Sequence, residues 1–421
     1  MQSKGGRAFS FYLAGQGISN LGDSFRFIAV TMLIFKLTGS GMEAAFGLVL
    51  STLPSILISP FAGVLGDRLD ERRLLVLIDF IRFLTVPIFL LVNNVAHIYL
   101  LLILLSLFDI FYSPSRRKFV LEMTGREGAL NANSLLTGVS GAAYLAGPLA
   151  AGFMTDAYGT APAIIVACFC CLCSCLMTLA AGTMYAGTAA KGKYGRTLKK
   201  APIGTAKMEK QTLSAELGKG FRYCLSVPDV RELLLIGLIT GFCTISVNIS
   251  FYPYAFDVLK VTAKGWSMMI TVYYGTNLLA MLFLKYFGAY FKKHDGRLFF
   301  SGLCIISIIW ALYAVVANLA GVLLLQFIEG TVIAVCGILL AARFQTITQK
   351  SYMARVSGAN DIFSNIGKTA GMGCTIMVSG IFPFGTVFFL NSTLLFLFAC
   401  TGLIFSRWGR NPSAKAGRIR I

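Results

Sequence analysis

Residues 63–73 read Gly63-Val64-Leu65-Gly66-Asp67-Arg68-Leu69-Asp70-Glu71-Arg72-Arg73. An apolar run, 42–66, leads into this stretch, and another, 74–95, leads out of it. Each run is long enough as a helix to cross the hydrocarbon core of a bilayer, which needs about 20 residues at about 1.5 Å of rise per residue. A short charged segment between two such runs is a tight turn at a water surface, and its arginines assign that surface to the cytoplasm.

Outward from this turn, the composition agrees. Hydrophobic residues make up 56% of the 421 positions, charged residues only 13%, and 34 are phenylalanine. A water-soluble protein of this length could not keep so much apolar surface from solvent, so lipid is the expected solvent for most of the chain. The first run, 9–37, carries Asp23 and Arg26 at its centre and no small-residue cleavage site, so it reads as a retained helix rather than a signal peptide. The formal charge of +19 would suit nucleic acid, but its distribution excludes that partner. Of the 37 Lys and Arg, three fall on the outer side (Lys36, Lys260, Lys264), three lie inside helices (Arg26, Arg82, Lys368), and the rest occupy tails and loops of one face. That asymmetry places both termini in the cytoplasm, with anionic lipid headgroups as neighbours.

Apolar runs cut by charged or turn residues predict twelve spans: 9–37, 42–66, 73–95, 97–118, 131–156, 160–184, 229–258, 265–287, 298–317, 319–343, 354–381 and 383–406. Outer loops are short and nearly uncharged, whereas inner loops hold Arg116-Arg117-Lys118, Lys292-Lys293 and Lys350. The fold class is an all-α membrane protein of two pseudo-symmetric six-helix bundles, residues 1–184 and 229–421, the latter ending in a basic tail. The linker, 185–228, is rich in Lys, Gly, Ala and Thr, cannot bury a core, and ends in an amphipathic repeat of Leu213, Leu217, Phe221 and Leu225 that suits a helix lying on the inner membrane surface. The 11 cysteines include a cluster (Cys168, Cys170, Cys171, Cys173, Cys175) with no histidine near it, which reads as soft packing rather than a metal site.

Gly63, Asp67, Arg68, Arg72 and Arg73 resemble the signature loop between helices 2 and 3 of the major facilitator superfamily, with Glu71 in place of a glycine. Helix 5 carries Gly138 and Gly141, then Gly147-Pro148 and Gly152, which is similar to the Gly-Pro motif of antiporters in that superfamily; small residues let helices approach, and Pro148 bends one. Gln16 to Asp23 followed by Thr38-Gly39-Ser40, Asp79 with Arg82, and Ser113-Pro114-Ser115 resemble the macrolide-efflux and enterobactin-exporter branch of drug:proton antiporters. Helix 4 lacks the mid-helix arginine motif of other such antiporters and offers Asp109 instead. The resemblance implies a major facilitator fold in a cell membrane and export of a drug-like compound or siderophore, with resistance to several drugs as the phenotype.

Charges at bilayer depth cost a few kcal/mol even on lenient scales, so each requires a partner, water or a purpose. Asp23 and Arg26 share a face of helix 1, and Asp361 and Lys368 share a face of helix 11. Glu329 lies near the middle of helix 10 with no Lys or Arg within one turn, which makes it the first candidate for a proton-carrying carboxylate, with Asp23 second. Asp79, Arg82 and Asp109 read as lying near the inner ends of helices 3 and 4, as gate partners of Asp67 and Arg68. Asn248, Tyr252, Tyr254, Tyr273, Tyr274 and Asn277, together with Arg26, Asp361 and Lys368, are candidates to line a central cavity for a bulky amphipathic ligand.

Neither a nucleophile–base pair, a metal set nor a nucleotide-phosphate loop is visible, so the expectation is a transporter rather than an enzyme. It would need no cofactor, draw on the proton gradient, act as a monomer and work by alternating access. Two rivals stay open: an importer or facilitator of a polar or charged nutrient, and a transporter-like receptor or lipid-handling protein without proton coupling.

Overall fold

The computed structural model describes residues 4–66, 70–189, 226–276, 280, 294–348 and 352–410, and the regular structure within them is helical. Helix α1 runs Lys4–Thr38 and stops where Gly39, at φ 66°, donates its N–H to the Phe35 carbonyl at 2.8 Å; a glycine carries this left-handed cap without strain. Helix α2 is Gly41–Gly66. Asp70 caps α3, Glu71–Thr85, by accepting from the backbone N–H groups of Arg72 and Arg73, and a 3-10 turn, Val86–Leu90, extends it.

Helices α4, Val95–Gly125, and α5, Asn131–Tyr158, depart from the expected boundaries. The chain is helical from Val95 to Tyr158 except at Gly125, whose φ of 68° and ψ of 175° break the axis. Arg116, Arg117 and Lys118, expected in a loop, therefore lie inside α4. The reason is apolar: Phe119, Val120 and Met123 just beyond them are buried with Tyr12 of α1, Leu75 of α3 and Leu136 of α5. Helix α6 is Thr160–Ala189. The second half comprises α7, Pro228–Pro253, ending in a π turn Tyr254–Val258; α8, 263–276; α9, Asp295–Tyr313; α10, Leu319–Ile347; α11, Met353–Ser379; α12, Phe384–Phe405; and the short α13, Arg407–Arg410. The linker helix, Asp67, Arg68, Asn277, Lys292, Lys293, Lys350 and the basic tail lie outside the described residues.

Among the described residues nine helices are long and apolar enough to cross a membrane; the other three expected spans fall at α3, α8 and α11, which within those residues are not. Phe169, Leu397 and Ile404 are among many large apolar side chains left exposed, as a lipid-facing surface requires. This is a multi-pass membrane protein.

The chain forms two compact units, residues 1–208 with 261–271 and residues 209–260 with 272–421. Each repeats the same helix pairings. In the first, α1 packs on α5, α2 on α4 and α3 on α6; in the second, α7 packs on α11, α8 on α10 and α9 on α12. Glycines make the closest approaches. A Cβ at Gly371 of α11 would lie 2.5 Å from the Phe242 carbonyl oxygen of α7, and one at Gly241 of α7 would lie 2.7 Å from the Ser364 carbonyl oxygen of α11. A polar clasp beside them has Asn391 of α12 donating to Ser246 of α7 at 2.8 Å, while Ser246 also bonds Thr375 of α11.

This packing predicts different outcomes two residues apart. Gly371→Val meets backbone and should lower the melting temperature in detergent, by an overpacking cost of about 1–3 kcal/mol. Gly373→Val, where an added Cβ meets nothing within 4 Å, should melt as the wild type does. Equal melting temperatures for the two variants would contradict the α7–α11 contact.

Candidate functional site

In the first unit, the charges expected in two places form one cluster. Asp23 and Arg26 come from α1, Asp79 and Arg82 from α3, and Asp109 from α4. Arg82 donates through Nε and Nη2 to Asp109 Oδ1 at 2.8 and 2.6 Å. Its Nη1 lies 3.7 Å from Asp79 Oδ1 and 3.9 Å from Asp23 Oδ2. Arg26 donates to Asp23 Oδ1 at 2.9 Å. Asp79, 1% exposed, also accepts from Ser174 of α6 at 2.9 Å. The Arg82 guanidinium stands 4.6 Å from the ring centre of Tyr112, whose hydroxyl accepts from Gln16.

This arrangement corrects the depth assigned to three residues. With α3 and its 3-10 turn spanning 71–90, and α4 reaching Gly125, Arg82 and Asp109 fall close to mid-span, with Asp79 less than one turn from Arg82. They therefore pair with the mid-span charges of α1. The error did not lie in the boundaries, since the expected spans 73–95 and 97–118 already centre near residues 84 and 108; it lay in splitting one cluster between two roles. Counted as charges, the cluster holds three carboxylates and two guanidinium groups. Both arginines are consumed within it, and each charge is at least half surrounded by protein, so the network is tightly satisfied.

The end of the unit where α2 leads into α3 carries the described part of the signature stretch. Arg72 reaches Glu122 of α4 at 3.4 Å and lies 4.7 Å from the ring centre of Tyr185 of α6, whose hydroxyl donates to the Glu122 carbonyl at 2.9 Å. Arg73 is exposed, 3.9 Å from Asp70. Gly63 lies within α2. In α5, the five small residues do not act alike. A Cβ at Gly147 would stand 2.6 Å from Ser24 Oγ of α1, and Gly152 lies directly against Ser267 of α8, whereas at Gly138 nothing lies within 4 Å. Gly141 and Pro148 sit in the body of α5 between these contacts. Cys168 and Cys175 of α6 approach the carbonyls of Phe83 and Val76 on α3 at 3.9 and 3.7 Å.

In the second unit, Glu329 of α10 is 3% exposed. Trp310 Nε1 donates to its Oε1 at 2.6 Å and the Tyr313 hydroxyl to its Oε2 at 2.7 Å, both from α9. Among the described residues no cation pairs with it. The expectation of a carboxylate free of Lys and Arg is met in space as well as along the chain. What sequence reasoning missed was its two donors. The i, i+3 spacing of Trp310 and Tyr313, the two aromatic hydrogen-bond donors of α9, was the available signal.

The aromatic candidates separate. Asn248 and Tyr274 are exposed and Tyr273 is half-buried, so these three are available to a ligand. Tyr252 and Tyr254 are each only 4% exposed. Tyr254 donates to the Val316 carbonyl and packs edge-on against Phe251 and Phe388, fastening the α9–α10 turn. On α11, Asp361 is exposed and Lys368 half-buried, and no ion pair joins them.

Each of the two similar helix units thus holds a buried carboxylate on donors from a neighbouring helix. The chain matches the family model for the Major Facilitator Superfamily over residues 12–372 and belongs to that superfamily. The multidrug efflux pump Tap of Mycolicibacterium fortuitum is 25% identical over 261 residues, 59% of this chain and 60% of that protein. The uncharacterized MFS-type transporter YfiS of Bacillus subtilis (strain 168) is 29% identical over 147 residues, 35% of each chain. The aligned regions thus span between about a third and three fifths of these relatives. The fold is similar to that of the nucleoside transporter NupG, with a TM-score of 0.67 at 10% identity, covering 94% of this chain and 98% of that one. It is equally similar to a bacterial homologue of the iron transporter ferroportin in its inward-facing state, with a TM-score of 0.67 at 12% identity, covering 96% and 99%.

The cluster predicts unequal costs for its two arginines. Arg82→Gln strips the nearest cation from Asp79 and Asp109 and should reduce thermal stability by about 3–5 kcal/mol, the usual cost of breaking a buried pair. Arg26→Gln leaves Asp23 facing Arg82 and should cost less. Thermal unfolding of both in one detergent checks the order; a reversed order would show that Arg82 is not the hub.

Proposed function

We propose that the protein exports a bulky amphipathic small molecule, a drug-like compound or a siderophore, from the cytoplasm by proton antiport with alternating access. The observation that carries this reading is Glu329: a carboxylate inside the membrane, 3% exposed, bonded by two neutral donors and by no described cation. A proton can neutralise such a group, and a change in water access can remove it, which is the chemistry that coupling to a gradient requires. Asp23 is the weaker candidate, because Arg26 and Arg82 both stand against its carboxylate.

Export is supported by the likeness to the efflux pump Tap and by the α5 glycines packed against α1 and α8. The positive-inside distribution supports cytoplasmic termini in a cell membrane, and no cofactor is invoked beyond the proton gradient. The working unit proposed is the monomer, with anionic lipid at its cytoplasmic face. An importer of a charged nutrient is the second reading; the partly exposed Arg26, with 18% of its side chain accessible, is the observation that favours it.

The test is efflux of a fluorescent amphipathic aromatic such as ethidium from proteoliposomes under an imposed pH gradient. Wild type should transport against the concentration gradient, Asp23→Asn should retain gradient-driven flux, and Glu329→Gln should keep only downhill flux or exchange. If flux ignores the pH gradient in wild type, proton coupling is wrong and the facilitator reading replaces it.

A further inference from the structure

The second unit contains a cavity of about 170 Å³ between α7, α9, α10 and α12. Its floor is buried and apolar, with Leu303 and Trp310 of α9 and Leu395 of α12, and Ile333 of α10 forms one wall. Gly337 of α10 and Thr244 of α7 line it and are exposed, marking its mouth. An added Cβ at Gly337 would meet nothing within 4 Å, so the glycine keeps the mouth open. Native interiors hold few voids larger than a water molecule, and an apolar cavity of roughly 150 Å³ stays dry and takes up a benzene-sized molecule.

The surroundings of the mouth indicate where an occupant comes from. Thr240, Thr244 and Asn248 recur every four residues and so share one face of α7, and that polar stripe runs past the opening. A mouth turned to lipid would be flanked by residues like the exposed Leu235 of the same helix. Entry from an aqueous path is what a polar rim over an apolar floor provides, and that layout suits an amphipathic molecule. Its apolar group would enter the cavity while its polar part stays against Thr244 and Asn248.

One floor residue serves two sites. Trp310 lines the cavity with its ring, and the same indole donates to Glu329 at 2.6 Å. An occupant that shifts the indole lengthens that hydrogen bond. From this geometry we infer that the cavity is a subsite for one aromatic or branched apolar group of the transported molecule, linked through Trp310 to Glu329. The subsite stands on the cavity alone; its link to coupling rests on the proposed role of Glu329.

The experiment uses the full chain in lipid nanodiscs, with Trp266→Phe and Trp408→Phe leaving Trp310 as the single tryptophan. Bromobenzene, which quenches indole fluorescence at contact, should quench Trp310 saturably. A phosphatidylcholine brominated on its acyl chain should not. Gly337→Phe, which fills the cavity from its open mouth, should weaken bromobenzene binding about tenfold or more, whereas Gly337→Ala should stay near wild type. A second readout avoids the tryptophan background: in a Gly337→Cys chain, labelling by N-ethylmaleimide in excess of the wild-type rate should be slowed by bromobenzene.

Quenching by the brominated lipid instead would assign the cavity to an acyl chain and overturn the proposal. So would the absence of saturable bromobenzene quenching, or quenching that Gly337→Phe leaves unchanged in a protein that still elutes as a single species. The exporter reading fails separately. If bromobenzene binds as described but no pH-driven ethidium efflux occurs, the subsite stands and the export mechanism falls. If efflux occurs and Gly337→Phe alters neither efflux nor quenching, the subsite falls and the exporter stands. Trp310→Phe keeps an aromatic floor, smaller than the indole, and removes the N–H donor, so it should preserve protection of the Gly337→Cys thiol while weakening the response of efflux to the pH gradient.

Discussion

The structure depends on a constraint set by its solvent: lipid offers no hydrogen bonds to a charge, so every ionised side chain at bilayer depth must be answered by another part of the protein. Arg82 gives the fullest answer. Placed near mid-span on α3, it faces carboxylates from three helices, Asp23 of α1, Asp79 of α3 itself and Asp109 of α4. Ser174 of α6 completes the shell around Asp79. Three helices of the first unit are therefore registered against one another by a single guanidinium, with α6 tied to the set through Ser174, and a slip of one turn in α1, α3 or α4 would strand a charge.

At Glu329 the second unit meets the same constraint with no cation among the described residues. Glu329 of α10 is bonded by donors of α9, as Asp109 of α4 is bonded by Arg82 of α3, so the helix pairing is preserved while the chemistry differs. An arginine gives its partner carboxylates fixed ionic contacts and suits a scaffold. Indole and phenol donors support a carboxylate without compelling its charge, which suits a group that must change protonation state. On the proposed reading the first cluster is a scaffold and Glu329, rather than the more heavily charged cluster, is the coupling site.

Trp310 brings the apolar and polar chemistry of the second unit together. Its ring forms part of the floor of an apolar cavity, and its N–H satisfies a buried acid. Tyr313, one turn further along α9, supplies the other donor and stacks edge-on with Phe251 of α7, which packs in turn on Tyr254. The aromatic residues of this region thus act as walls and struts, with Tyr252 and Tyr254 consumed by packing and only Asn248, Tyr273 and Tyr274 of the described polar candidates left accessible.

The sequence by itself determined that the chain lives in lipid, where most of the spans run and that two halves repeat, because those properties follow from run length, composition and charge, each of which is local. It also singled out Glu329, since the distance of a carboxylate from Lys and Arg along a helix is a local fact. Tertiary structure alone decided that Asp79, Arg82 and Asp109 meet Asp23 and Arg26 in one cluster. Burial of Phe119, Val120 and Met123 against other helices also carried α4 past the basic residues that seemed to end it. Structure alone also chose the partners: Arg82 stands 27 residues from Asp109 in the chain and Trp310 stands 19 from Glu329. Hydrogen bonds across such separations are made by how helices pack, and no periodicity within one helix encodes which face of another will meet it.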